Sequence, residues 1–177
     1  MSSINNTGDY VEALIQFVTE KVEGKAVVVE EGDEPENPTT PLIIVSMPKI
    51  LETGWSDDGR HEDVLGVTLV AKVPKSIDKP NVTAVNTGGF LRYLLADREI
   101  NSGFVDYDNI DLPADVEGDS VLWKERDKDA KANFFGYMIT YIQTVRYGTA
   151  EDNSMVLTVI DIKDQFGETE RFYERVD

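Results

Sequence analysis

The sequence predicts an α+β domain, a mostly antiparallel β-sheet with two helices packed on one face. Three observations carry this reading. Apolar residues recur at helical spacing near the N-terminus and again around residues 90–95. Two-residue alternation runs through Leu65 to Val73 and through Phe134 to Arg146. The elements follow in the order helix, strands, helix, strands, with no internal repeat and no low-complexity tract.

The first helix is the clearest element. Val11, Leu14, Ile15 and Val18 stand at i, i+3, i+4 and i+7, and Val22 continues the stripe. The helix is expected from about Tyr10 to Val22, capped by Thr7 or Asp9 and ended at Gly24. Ala26 to Val29 is a short β-branched strand. Residues 30–38 hold five acids, two prolines and a glycine, which reads as a solvated hairpin connection rather than an acidic partner-binding loop. Leu42 to Ser46 is a buried strand bounded by Pro41 and Pro48. Ile50 to Arg60 reads as a projecting loop.

Leu65, Val67, Leu69, Ala71 and Val73 share one face of a half-buried antiparallel strand that Pro74 ends. Lys75 to Asn86 is read as polar connection. Thr87 then opens a second helix with Phe90, Leu91, Leu94 and Leu95 as its apolar face. Residues 105–120 carry six acids and no base, a second acidic connector, followed by a short strand at Val121 to Trp123. Phe134 to Arg146 is β-branched and aromatic on both faces, as a central strand requires. Gly148 to Ser154 is a hairpin connection, with Met155 to Ile162 as the partner strand. Residues 164–177 are read as an extending arm of a single domain covering 1–177.

Composition narrows the chemistry. The 177 residues fit one domain of ordinary size. Without cysteine there is no disulfide, thiolate metal site or cysteine nucleophile, and a single histidine excludes sites built on two imidazoles. With 34 Asp+Glu against 17 Lys+Arg the net charge is −17, so the average surface repels phosphate backbones and anionic lipid. No run approaches the 18 apolar residues of a membrane span. The opening residues, Met1 to Gly8, lack a basic start and an apolar run, so no secretory signal is expected. The sequon Asn81-Val82-Thr83 is then idle.

Catalytic motifs fail on inspection. Asp57, Asp58, His61, Glu62 and Asp63 form the densest polar cluster. Neighbours on an extended chain point to opposite faces, so these groups cannot all converge on a metal. Gly54 to His61 has the glycine spacing of a phosphate-binding loop, but Arg60 and His61 replace its Lys-Ser/Thr and two acids sit inside. EF-hand spacing and G-x-S-x-G are absent. No enzyme activity, cofactor or metal is expected.

The first helix, the strand Val67-Thr68-Leu69-Val70-Ala71-Lys72-Val73, the helix Phe90-Leu91-Arg92-Tyr93-Leu94-Leu95 and the late strand Tyr141-Ile142-Gln143-Thr144-Val145-Arg146-Tyr147-Gly148 together form a pattern. It resembles the tail terminator proteins of long-tailed bacteriophages, the family of lambda's minor tail protein U. The resemblance covers Tyr10 to Gly148. It implies a virion protein made in the host cytoplasm. Its subunits would form a hexameric ring at the tail–neck junction that caps the tail tube and joins tail to head. DNA would pass through the ring without specific binding and without catalysis. The two acidic connectors and everything after Gly148 depart from that pattern.

Trp55, Arg60, Arg92 and Tyr93 are the interface candidates. Trp55 is a large aromatic amid acids, held either for a neighbour or as an intramolecular lid. Arg92 lies off the apolar stripe of its helix, beside Tyr93. Two other classes stay open. One is a small acidic inhibitor of the DNA-mimic type, supported by the charge; the other is a metal enzyme using Asp57, Asp58 and His61.

Overall fold

The computed structural model describes residues 4–97, 104, 109–121 and 134–149, and the backbone of 122–123, 156–163 and 169–176. Helix α1 (Thr7–Val22) starts three residues earlier than its apolar stripe implies, because its cap is Asn6. The Asn6 side chain accepts the Asp9 backbone N–H at 3.0 Å, and the Asp9 carboxylate accepts the Asn5 N–H at 2.8 Å. The first bond is an N-cap, and the second lets the first-turn carboxylate hold the residue before the cap. At the other end Glu23 (φ 51°) and Gly24 (φ 74°) turn the chain left-handed.

The chain then forms β1 (Val27–Glu30), β2 (Leu42–Val45), β3 (Lys49–Trp55) and β4 (His61–Pro74), followed by α2 (Pro80–Ala96), β5 (Ala114–Trp123) and β6 (Phe134–Arg146). They build a six-stranded sheet of order β1-β2-β4-β6-β5, with β3 also paired to β4. All pairs but β1–β2 are antiparallel. The fold is therefore α+β, as the periodicities predict. Strand β4 pairs with β6 along its whole length, from Glu62↔Arg146 to Pro74↔Phe134. Its other edge is divided: β2 takes Leu69 to Lys72, and β3 takes His61 to Gly66. The break between β2 and β3 falls at Pro48, which has no N–H to continue a ladder.

Alternation along β4 decides where the core lies. Leu65, Val67, Leu69 and Ala71 are buried, with Ile43 and Val45 of β2 and Ile139, Tyr141 and Val145 of β6 beside them. Tyr10, Leu14 and Val18 of α1 and Leu91, Leu94 and Leu95 of α2 pack into the same cluster. Both helices thus cover one face of the sheet. Phe104 closes the cluster, stacked on Phe17 with centroids 5.1 Å apart.

Several expectations are corrected. Strands β1 and β2 are parallel, so residues 31–41 form a crossover and not a hairpin connection. Lys72, opposite Leu42, lies on the sheet face away from the helices and bonds Glu34 at 3.0 Å. That ion pair ties the crossover to the second face, where Leu42, Ile44 and Val70 form a small apolar cluster. It also lowers the Glu34 carboxyl pKa, chiefly through the hydrogen bond from Lys72.

Helix α2 begins at Pro80 rather than Thr87, because proline is preorganised for a first helical position. Its buried stripe is Ala84, Gly88, Leu91, Leu94 and Leu95, which leaves Phe90 39% exposed and outside the core face. The acidic segment 105–120 is only partly connector: from Ala114 it is the edge strand β5, with Asp115, Glu117 and Asp119 exposed. Charged side chains on an edge discourage pairing with other chains. Strand β7 (Val156–Lys163) pairs with β8 (Thr169–Val176) in a separate two-stranded sheet, not with β6. Most of the expected arm is therefore β8. The remainder of 164–177 and the first residues of the acidic segment, 105–108, lie outside the described residues.

Two adjacent glycines of α2 make a paired test. A Cβ on Gly88 would sit 2.2 Å from the Tyr137 ring and 2.8 Å from Tyr137 Cβ, whereas Gly89 meets nothing within 4 Å. Gly88→Ala is expected to destabilise the fold by about 1–3 kcal/mol through overpacking. Gly89→Ala is expected to stabilise it by about 0.5–1 kcal/mol through helix propensity. Urea unfolding followed by circular dichroism measures both.

Candidate interaction surfaces

Strand β3 forms an outer edge of the sheet, against the half of β4 whose other side carries β6. All seven residues of β3 are exposed. They include Ile50 (52% exposed), Leu51 (42%) and Trp55 (75%), and Met47 (73%) precedes them. The region expected as a loop is therefore mostly a strand, with Trp55 at its end. Trp55 meets His61 edge-on, 5.6 Å between centroids, and at 75% exposure it covers no core. The lid reading is excluded.

The turn that joins β3 to β4 is closed on itself. Ser56 N donates to Arg60 O at 2.8 Å, and Gly59 takes a positive φ of 80°. Arg60 Nε donates to Asp58 at 2.8 Å, and the Ser56 hydroxyl also donates to Asp58. The Arg60 guanidinium beside Asp58 holds that carboxyl well below the usual carboxylate range. Arg60 is thus a buried internal tie of the turn and not an exposed interface residue, a correction to its candidacy. Its partner lies two positions earlier, a proximity that the sequence displays but that only the turn makes productive.

Behind the hairpin, His61 stacks on Tyr147 at 5.7 Å. The Tyr147 hydroxyl donates to Asp63 at 3.0 Å, and Thr53 donates to the other Asp63 oxygen at 2.6 Å. Arg146 makes a forked pair with Asp111, at 2.7 and 2.9 Å, and reaches Glu62 at 2.8 Å. Such forked pairs are geometrically specific as well as strong. Asn109 donates to the carbonyls of Arg146 and Gly148, both at 2.7 Å. Deeper in the core, Tyr10 donates to Gln143 at 2.7 Å, and Gln143 donates to the Asp111 carbonyl at 2.7 Å. These polar groups tie the base of the hairpin to β6 and to α1. Asp57, Asp58 and His61 do not converge. Among the described residues, no group of three or more His, Asp or Glu is placed to hold a metal ion.

The outer face of α2 is a second apolar surface. Val82 (54% exposed), Val85 (52%) and Tyr93 (56%) follow one helical stripe across Gly89, with Phe90 beside it. Arg92 is exposed next to Tyr93, as its helix position predicts. The helix contains no carboxylate, in a chain with 34 of them. Between α2 and the end of α1 lies a cleft of about 320 Å³. Val22, Ala26, Ile43 and Phe90 form its apolar walls, and Lys21 and Lys25 stand at its rim. Val82 and Val85 lie in a segment whose polar residues read as connection, and Pro80 at the first helical position is the sequence signal for the helix that carries them.

The two surfaces stand far apart. Trp55 is paired with His61, and Ile43, in the cleft wall, with Ala71. Ten strand residues at about 3.3 Å each separate those positions by about 33 Å. The hairpin end cannot reach the cleft of its own chain.

Two expectations follow. Trp55→Ala should change unfolding stability by no more than about 0.5 kcal/mol, as befits an exposed side chain, when followed by urea titration. The second concerns alkaline pH. Burial pushes the Tyr147 phenol up to about 12 and raises Tyr10 and Tyr141 as well, each from an ordinary value of 10.0. The unfolded chain releases these protons near pH 10, while the folded chain keeps them. The contribution of Tyr147 is therefore intact below pH 10 and is lost as pH rises through about 12. Tyr147→Phe should flatten part of that loss, read as tyrosinate absorbance during alkaline titration.

No helix among the described residues is long and apolar enough to cross a membrane. Compared with known proteins, the chain matches no family model and no curated sequence.

Proposed function

We propose that this chain is a structural subunit of a bacteriophage tail, a terminator that forms a ring on the tail tube and joins it to the head. One observation carries the reading. The β3–β4 hairpin presents Met47, Ile50, Leu51 and Trp55 to solvent from a rigid, polar-tied base. Several large apolar side chains left exposed on one edge strand, with polar groups beside them, suit an assembly contact. The sequence resemblance to tail terminators supplies the kind of assembly.

A ring needs a head-to-tail contact between two unlike patches, repeated about one axis until it closes. The hairpin and the outer face of α2 are two such patches on one subunit. The partners are other copies of this chain, the tail tube and the neck proteins, and the role involves no catalysis and no cofactor. A net charge of −17 per subunit suits a channel through which DNA must pass without sticking. The same charge makes subunits repel one another, so assembly strengthens as salt screens it, until the specific ion pairs are screened too.

Light scattering across an ionic-strength series, with and without assembled tail tubes, tests the reading. A species several times the 19.8 kDa subunit mass is expected at moderate salt or on tubes. Trp55→Ala should reduce it at least tenfold while the monomer stays folded. A strict monomer under every condition, tubes included, overturns the ring and favours an acidic inhibitor instead.

A further inference from the structure

We propose that the contact closing the ring is the hairpin end of one copy seated in the α1–α2 cleft of the next, with Trp55 as the inserted side chain. The inference rests on the ring reading and specifies its interface. The cleft, at about 320 Å³, lies at the small end of the ~300–1,000 Å³ range of ligand pockets and accommodates one large side chain. Val22, Ala26, Ile43 and Phe90 give it apolar walls, with Thr83, Asn86 and Thr87 of α2 alongside. Trp55 is the most exposed large apolar side chain of the hairpin and ends its strand. A buried aromatic anchor in such a pocket is the usual centre of an interface.

Charge matches shape. Glu52 and Asp57 are exposed on the hairpin, on either side of Trp55. Lys21 and Lys25 stand on the cleft rim, where Lys25 also pairs with Glu23 at 3.3 Å, and α2 adds no carboxylate beside them. In a chain of net charge −17, this is a place where an acidic hairpin is not repelled. The occupant is a second copy, because about 33 Å of β4 separates hairpin end and cleft within one chain. Each copy offers one hairpin and one cleft, so the contact is heterologous and repeats.

The absence of native cysteine makes a cross-linking test direct. Gly54 is exposed with nothing within 4 Å of a Cβ, and Asn86 is exposed in the cleft wall. Gly54→Cys and size-tagged Asn86→Cys variants are mixed at the salt concentration that gives maximal light scattering, then oxidised. The mixed disulfide is expected in at least tenfold excess over either homodimer. It should be lost when Trp55→Ala is added to the first variant, or Lys21→Glu and Lys25→Glu to the second. Assembly by light scattering with no mixed disulfide, or with homodimers alone, overturns this docking and leaves the ring standing. No assembly and no disulfide overturns the ring and the docking together.

Discussion

The fold depends on one strand with ladders on both edges. Strand β4 runs from His61 to Pro74, bonded throughout to β6 and on its other side to β2 and then β3. Its alternation sends Leu65, Val67, Leu69 and Ala71 beneath both helices. A register slip of one residue would turn that whole set to the opposite face. The helix-facing core and the second-face cluster around Val70 fix the register from both sides. Because β4 is longer than β2, its first half needs another partner, and β3 supplies it. The exposed edge strand β3 is therefore a consequence of strand length.

Polar ties hold that edge strand in place. Asp63 is buried beneath the hairpin with both carboxylate oxygens occupied, one by Thr53 and one by Tyr147. Arg146 joins β4, β6 and the segment at Asp111. Buried polar groups satisfied on all sides hold one geometry, since leaving any member unpaired costs about 1–3 kcal/mol. The hairpin is thus held at its base while its outer surface is apolar and open, the combination that presents a contact without ordering cost on association.

Much of this is legible in the residues, and the failures have identifiable causes. The stripes of α1 and β4 and the continuous apolar run of β2 each report burial directly. The partner of a strand is not local information: Val27 to Glu30 reads as a strand, but its parallel pairing with β2 depends on the crossover tied by Glu34 and Lys72. Likewise β7 pairs with β8 although it follows β6. The first half of α2 hides behind Asn81, Thr83 and Asn86, polar residues that a surface helix carries on its outer side. β5 hides behind acids because an edge strand needs few apolar positions. Of the four interface candidates, Arg92 and Tyr93 are exposed as their helix positions imply and Trp55 is exposed where its context left two readings open, while Arg60 is taken inward by Asp58.

The acidic side chains of β5 have a colloidal consequence. Asp115, Glu117 and Asp119 set like charges along the line where a second copy of that edge would have to pair. Near the isoelectric point of about 4.3 the net repulsion between whole molecules vanishes. Solubility there is governed by the charge the medium leaves on the chain rather than by the strength of the fold.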